Sequence, residues 1–154
     1  MIEAKVTGFA ELERAMRGLP KELEERVVRQ MVAEGSKLVA REAAIHAPVA
    51  QEPHLAVNKR YMVLPGTLQA SIQTWRFKDP RATVMNKVGP RSKFRGVDTF
   101  YWMFMEFGTR FIPARPFLRR AFDNNVHRVI ALMRSRMERG VPAAWKSALR
   151  RQGR

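Results

Sequence analysis

His46, His54 and His127 are the only imidazoles in this chain of 154 residues, and no two of them stand at the three- or four-residue spacing that lets a helix offer paired metal ligands. Each reads more simply as an ordinary surface or core residue. Cysteine is absent, which excludes disulfides and thiolate metal sites and fits a reducing compartment. Gly89, Gly96 and Gly108 neither open a helix at phosphate-loop spacing nor precede a Lys-Ser or Lys-Thr pair, so no phosphate cradle is expected. Glu3 with Asp79 or Asp98 is the best acidic set for a cation-dependent nuclease. Acids are scarce in the later chain, however, and Glu3 and Lys5 fit the solvent face of an alternating strand. No catalytic residue, metal ligand or cofactor is expected, and the chain reads as a binder, not an enzyme.

The chemistry it does offer is cationic and aromatic. The net charge is +15, and it is unevenly placed: residues 1–50 are neutral overall, 51–115 carry +7 and 116–154 carry +8. Arginine outnumbers lysine 21 to 8, and its planar guanidinium suits two-pronged pairing with phosphates or carboxylates. Arg91, Lys93 and Arg95, and at the C-terminus Arg150, Arg151 and Arg154, are candidate contacts to DNA or to acidic partners. No helix-turn-helix, zinc-finger or RNA-recognition pattern accompanies them, so such contacts would go to phosphates or acidic protein surfaces. The aromatic chemistry is concentrated in Tyr101, Trp102, Phe104, Phe107 and Phe111, a density that needs a core or a partner to cover it.

The elements that must position these groups follow from periodicity. Ile2, Ala4 and Val6 alternate as a short strand, and Phe9, Leu12, Met16 and Leu19 recur at helical spacing. Pro20, followed by Glu22, Glu24 and Glu25, predicts a long helix to Ala47, about 40 Å at 1.5 Å per residue, which Pro48 ends. Residues 48–66, with three prolines and Gly66, predict a long irregular loop. Ser71–Phe77 and Thr83–Val88 about Asp79-Pro80 predict a β-hairpin, and Pro90–Gly96 an exposed basic loop. Pro116 is expected in the first turn of a helix whose apolar stripe runs through Phe117, Ala121, Phe122, Val126, Val129, Ile130, Met133 and Met137. Gly140-Val141-Pro142 is expected to break that helix, leaving a short basic extension at about 140–154.

The expected fold is α+β: a single domain over 1–154 in which a small antiparallel sheet packs on a long N-terminal-half helix and a C-terminal helix. No apolar run approaches the length of a membrane span and no signal-peptide core is visible, so a soluble protein is expected.

Several of these residues recur in a known order. Val6-x-Gly8, Leu19-Pro20, Ala47-Pro48, Gly66-Thr67-Leu68 with Ser71-Ile72, and Val88-Gly89 precede Glu106-Phe107-Gly108-Thr109 and Pro113-Ala114-Arg115-Pro116-Phe117-Leu118-Arg119-Arg120-Ala121. In that order and spacing the chain resembles the tail-component or neck proteins of long-tailed double-stranded-DNA bacteriophages, also described as tail-completion or head–tail joining proteins. The resemblance implies a non-catalytic virion protein, assembled in the host bacterial cytoplasm, that forms a sixfold ring joining the tail to the filled head. Its partners would be copies of itself, head-closure and tail-terminator or tail-tube proteins, and the genomic DNA passing through, with no membrane. Tyr101, Trp102, Glu106, Phe107, Gly108, Thr109, Arg110, Phe111 and Arg115 are then the expected subunit or partner interface. Glu106, the only acid between Asp98 and Asp123, is expected to pair with Arg115, Arg119 or a neighbouring subunit's arginine. A stand-alone basic nucleic-acid-binding protein is the alternative, ahead of a small metal-dependent nuclease.

Overall fold

A computed structural model describes residues 19–55, 62–79 and 82–152, together with Arg14, Met16 and Arg17. The expected strand at 2–6 and most of the expected first helix lie outside these residues. In chain order the described elements are α1 (Lys21–His46), β1 (His54–Leu55), β2 (Met62–Val63), α2 (Thr67–Ser71), β3 (Ile72–Asp79), β4 (Ala82–Pro90), β5 (Lys93–Phe94), β6 (Val97–Asp98), α3 (Trp102–Phe107), α4 (Leu118–Asp123) and α5 (Val126–Gln152). The fold is mixed α and β, with a long helix in the N-terminal half and another at the C-terminus. Among the described residues the sheet content is three separate antiparallel ribbons, β1–β2, β3–β4 and β5–β6, where one small sheet was expected. The chain divides into two compact units, one of residues 1–35, 76–86 and 127–154, the other of residues 36–75 and 87–126.

In the first unit the core is Met16, Leu19, Leu23, Val27, Met137, Val141, Ala144 and Ala148. Leu23, Val27 and the flanking Met31 recur every fourth residue, and Met137, Val141, Ala144 and Ala148 recur at four, three and four, so each helix turns one stripe inward. Gly140 faces Val27, while Gly35 faces Met133 and Val129. The two helical segments therefore run antiparallel here.

The C-terminal helix departs from expectation at both ends. It does not break at Gly140-Val141-Pro142, which lie inside α5. An interior proline costs a helix about 3 kcal/mol, but Pro142 itself is exposed, and Val141 before it and Ala144 and Ala148 beyond it are all buried in this core. The break comes earlier, at Asn124 and Asn125, after only six residues of α4. Asn125 is buried and its Nδ2 donates to the Ala121 carbonyl at 3.0 Å, satisfying an acceptor that the helix leaves free as it ends.

The second unit is built on small residues. Ala43 in α1 and Ala47 just past its end are buried with Leu68, Ile72, Phe117 and Ala121, and Ala40, Ala44, Tyr101, Trp102, Met105 and Leu118 pack around them. A row of alanines lets the neighbouring elements come close without leaving voids. Helix α1 ends at His46, two residues before Pro48, as the proline requires. The 48–66 stretch, expected to be irregular, contains the β1–β2 pair with His54 opposite Val63 and Leu55 opposite Met62. The basic stretch after Pro90 likewise holds a small hairpin, with Lys93 opposite Asp98 and Phe94 opposite Val97. Thr99, fully buried, fixes the path onward: its N–H donates to the Ser92 carbonyl at 3.0 Å and its hydroxyl to the Arg91 carbonyl.

Candidate subunit interface

The segment from Tyr101 to Phe122 lies within the second unit, and its local order starts from one carboxylate. Helix α4 begins with Phe117 in the cap position, which has no side-chain acceptor for the free N–H groups of the first turn. Glu106, in the last turn of α3, provides it. Its Oε2 accepts from the N–H of Phe117 at 2.8 Å and of Leu118 at 2.9 Å, and its Oε1 accepts from the N–H of Arg119 at 2.9 Å. The side chain is only 6% exposed. A buried carboxylate is tolerable here because three donors take the place of water.

The chain between these points is closed on itself. Gly108 has φ +74°, and a Cβ there would lie 2.9 Å from the Ala114 nitrogen and 3.1 Å from the Ile112 oxygen, so only glycine fits the turn. The Thr109 N–H donates to the Ile112 carbonyl at 2.8 Å, and its hydroxyl oxygen accepts from the N–H of Phe111 at 3.2 Å and of Ile112 at 3.0 Å. Across the base of the loop the Arg115 N–H donates to the Met105 carbonyl at 2.7 Å. The Glu-Phe-Gly-Thr and Pro-Ala-Arg-Pro-Phe motifs are thus two halves of one device: acid, turn and helix start.

This device leaves its aromatics outside. Phe107 is 64% and Phe111 82% exposed, while Phe100 and Phe104 meet edge to face at 5.7 Å between centroids, both on the surface. Arg110 lies with its guanidinium 4.9 Å from the Phe111 ring centre. Exposed apolar side chains also line the 48–66 stretch, among them Val49, Leu55, Met62 and Leu64.

Of the expected interface residues, Phe107, Thr109, Arg110, Phe111 and Arg115 are exposed, and Gly108 is partly so. Tyr101 and Trp102 are half-buried against the core of their unit, and Glu106 is buried. Within the chain Glu106 does not pair with the side chain of Arg115 or Arg119; it takes the backbone N–H groups of the α4 start. Phe122, expected on the inward stripe, is exposed: Phe117 and Ala121, four residues apart, turn inward, and Phe122 lies one position further round the helix. Met103 and Phe100, also exposed, were not singled out in the sequence.

The basic candidates fall in both units. Arg91, Lys93 and Arg95 are exposed on and beside the β5–β6 hairpin, with the Arg91 guanidinium 5.9 Å from the Trp75 ring and that of Arg95 5.4 Å from the Phe94 ring. Arg91 also donates to Gln73 Oε1 at 3.1 Å. Arg150 is exposed near the end of α5, Arg151 is in its last turn, and Arg154 lies outside the described residues. Among the described residues no three His, Asp or Glu side chains gather where a metal ion could sit, and no helix is long and apolar enough to cross a membrane. Compared with protein-family models, with curated proteins and with solved structures, the chain has no match.

Proposed function

We propose that this chain is a structural virion protein of the neck of a long-tailed phage, several copies of which form a ring at the tail end. The ring joins the tail to the DNA-filled head and leaves a channel for the DNA. One observation supports the reading above others: the motif that carries the resemblance is braced from within by Glu106 while Phe107 and Phe111 project from it into solvent. A rigid platform with outward aromatics is what a recurring protein contact needs, since ordering is already complete before binding. In this role the chain acts by fitting against copies of itself and against head-closure and tail-terminator or tail-tube proteins, without catalysis or cofactor. Particles assembled without this chain should accumulate as separate filled heads and finished tails under negative-stain microscopy. Joined, infectious particles in its absence would refute the proposal.

A second reading, stand-alone nucleic-acid binding, is favoured by the exposed Arg91, Lys93 and Arg95, two of them set beside aromatic rings. Binding of one duplex sequence by the isolated chain with a Kd below about 10⁻⁸ M at physiological salt would support it.

A further inference from the structure

We infer that Phe111 of one copy docks into an apolar cleft on a second copy of this chain, so that successive copies join head to tail; this rests on the neck reading above. The cleft has a volume of about 260 Å³, and its walls include Val49, Leu64, Leu68, Tyr101, Met105 and Arg115. A cavity of about 150 Å³ holds a benzene ring, so a phenyl side chain fits with room for part of its loop. Arg115 on the wall offers a planar cation to the face of that ring.

Phe111 does not fill the cleft of its own chain. The loop that carries it is closed by the Thr109 hydrogen bonds and tied down by the Arg115 N–H on the Met105 carbonyl, which leaves the ring 82% exposed. Knob and cleft are different residues of one molecule, so copies can join in succession, a heterologous contact that closes into a ring when the rotation between copies permits and that a double-thiol ladder separates from a reciprocal dimer.

Charge selects the second copy as occupant. Next to Phe111 stands exposed Arg110, which has no acidic partner among the described residues. Exposed Glu52 lies between Ala50 and His54, both on the cleft wall, and it too has no cationic partner among the described residues. Glu52 is not itself on the wall but stands two residues from wall positions on either side, so at the rim it offers Arg110 the acid that the wall, whose charged residue is Arg115, does not.

Because the natural chain has no cysteine, introduced thiols report the contact directly. Ile112→Cys, which leaves the Phe111 ring in place, and Leu64→Cys replace exposed side chains, and the two purified proteins, mixed in equal amounts and oxidised, should give mixed disulfides well in excess of either homodimer. A chain carrying both thiols should give a ladder of covalent oligomers. Phe111→Ala should weaken self-association about 30-fold, the size of an aromatic anchor's loss. Arg110→Glu should also weaken it, and Glu52→Arg in the same chain should restore it. Mixed disulfides no more abundant than homodimers overturn the docking, as does trapping of Leu64→Cys by a different virion protein. Rings that form equally well with Phe111→Ala overturn the docking and leave the neck reading intact, whereas joined particles made without this chain overturn the neck reading itself.

Discussion

Glu106 joins two stretches of backbone eleven to thirteen residues apart, and its three hydrogen bonds run to N–H groups, not to a cation. That distinction has measurable consequences. Glu106→Ala leaves one buried and two part-buried N–H groups without an acceptor, a loss of about 3 kcal/mol in denaturant unfolding. The loss should change little between low and high salt, because a screened ion pair is not what is removed. Arg115→Ala and Arg119→Ala should each stay within about 0.5 kcal/mol of the parent, and a large loss from either would contradict the backbone-capping role. Gly108→Ala forces a Cβ to 2.9 Å from the Ala114 nitrogen at a φ of +74°, and should cost about 2–3 kcal/mol. The sequence singled out Glu106 but pointed to arginine as its partner, since composition records charges and not unsatisfied N–H groups. One signal was available: a helix starting at Pro116-Phe117 has no Ser, Thr, Asp or Asn at its cap, so its acceptor has to come from elsewhere in the chain.

At the scale of elements, the long repeats were readable and the short ones were not. Helix α1 spans Lys21–His46 between the two signals that bound it, Pro20 and Pro48. The β3–β4 hairpin likewise appears where alternation and Asp79-Pro80 place it. The two-residue strands of β1–β2 and β5–β6 are too short to show a period of two. In α5 Gly140 and Pro142 signal a break, but the apolar stripe that passes through them prevails. Met137, Val141, Ala144 and Ala148 keep the helical period without interruption, and that stripe is what packs. Pro142 therefore sits in a helix interior at an exposed position, where it withholds a backbone donor and crowds the preceding turn. Pro142→Ala should stabilise the chain by about 1–3 kcal/mol, read as a higher denaturation midpoint with an unchanged slope. A helix that ended at residue 140 would gain nothing from the same change.

For the whole molecule, composition conveyed the mixed class and the asymmetric charge, but not the division into two units. The divisions fall within α1, β3, β4 and the first turn of α5, elements whose periodic patterns run on without a change of composition to mark a boundary. Charge at this scale also separates the two functional readings. A net +15 draws phosphate at low ionic strength whatever the chain's role, so binding to DNA in dilute buffer decides nothing. A neck component must let duplex DNA slide past, and a surface that gripped it would oppose ejection. The isolated chain should therefore bind duplexes of any sequence alike, with Kd no tighter than about 10⁻⁶ M near physiological salt, the range of non-specific phosphate contact. Replacing Arg91, Lys93 and Arg95 together by alanine should reduce the slope of log K against log salt by about 3, since these exposed cations meet phosphate in the absence of a protein partner. If acidic virion proteins take those cations in the proposed neck, the same triple variant should impair head–tail joining most at low salt, the deficit shrinking as added salt screens the parent's own contacts. A Kd below about 10⁻⁸ M for one sequence at physiological salt, the range of specific recognition, would instead make nucleic-acid binding the function.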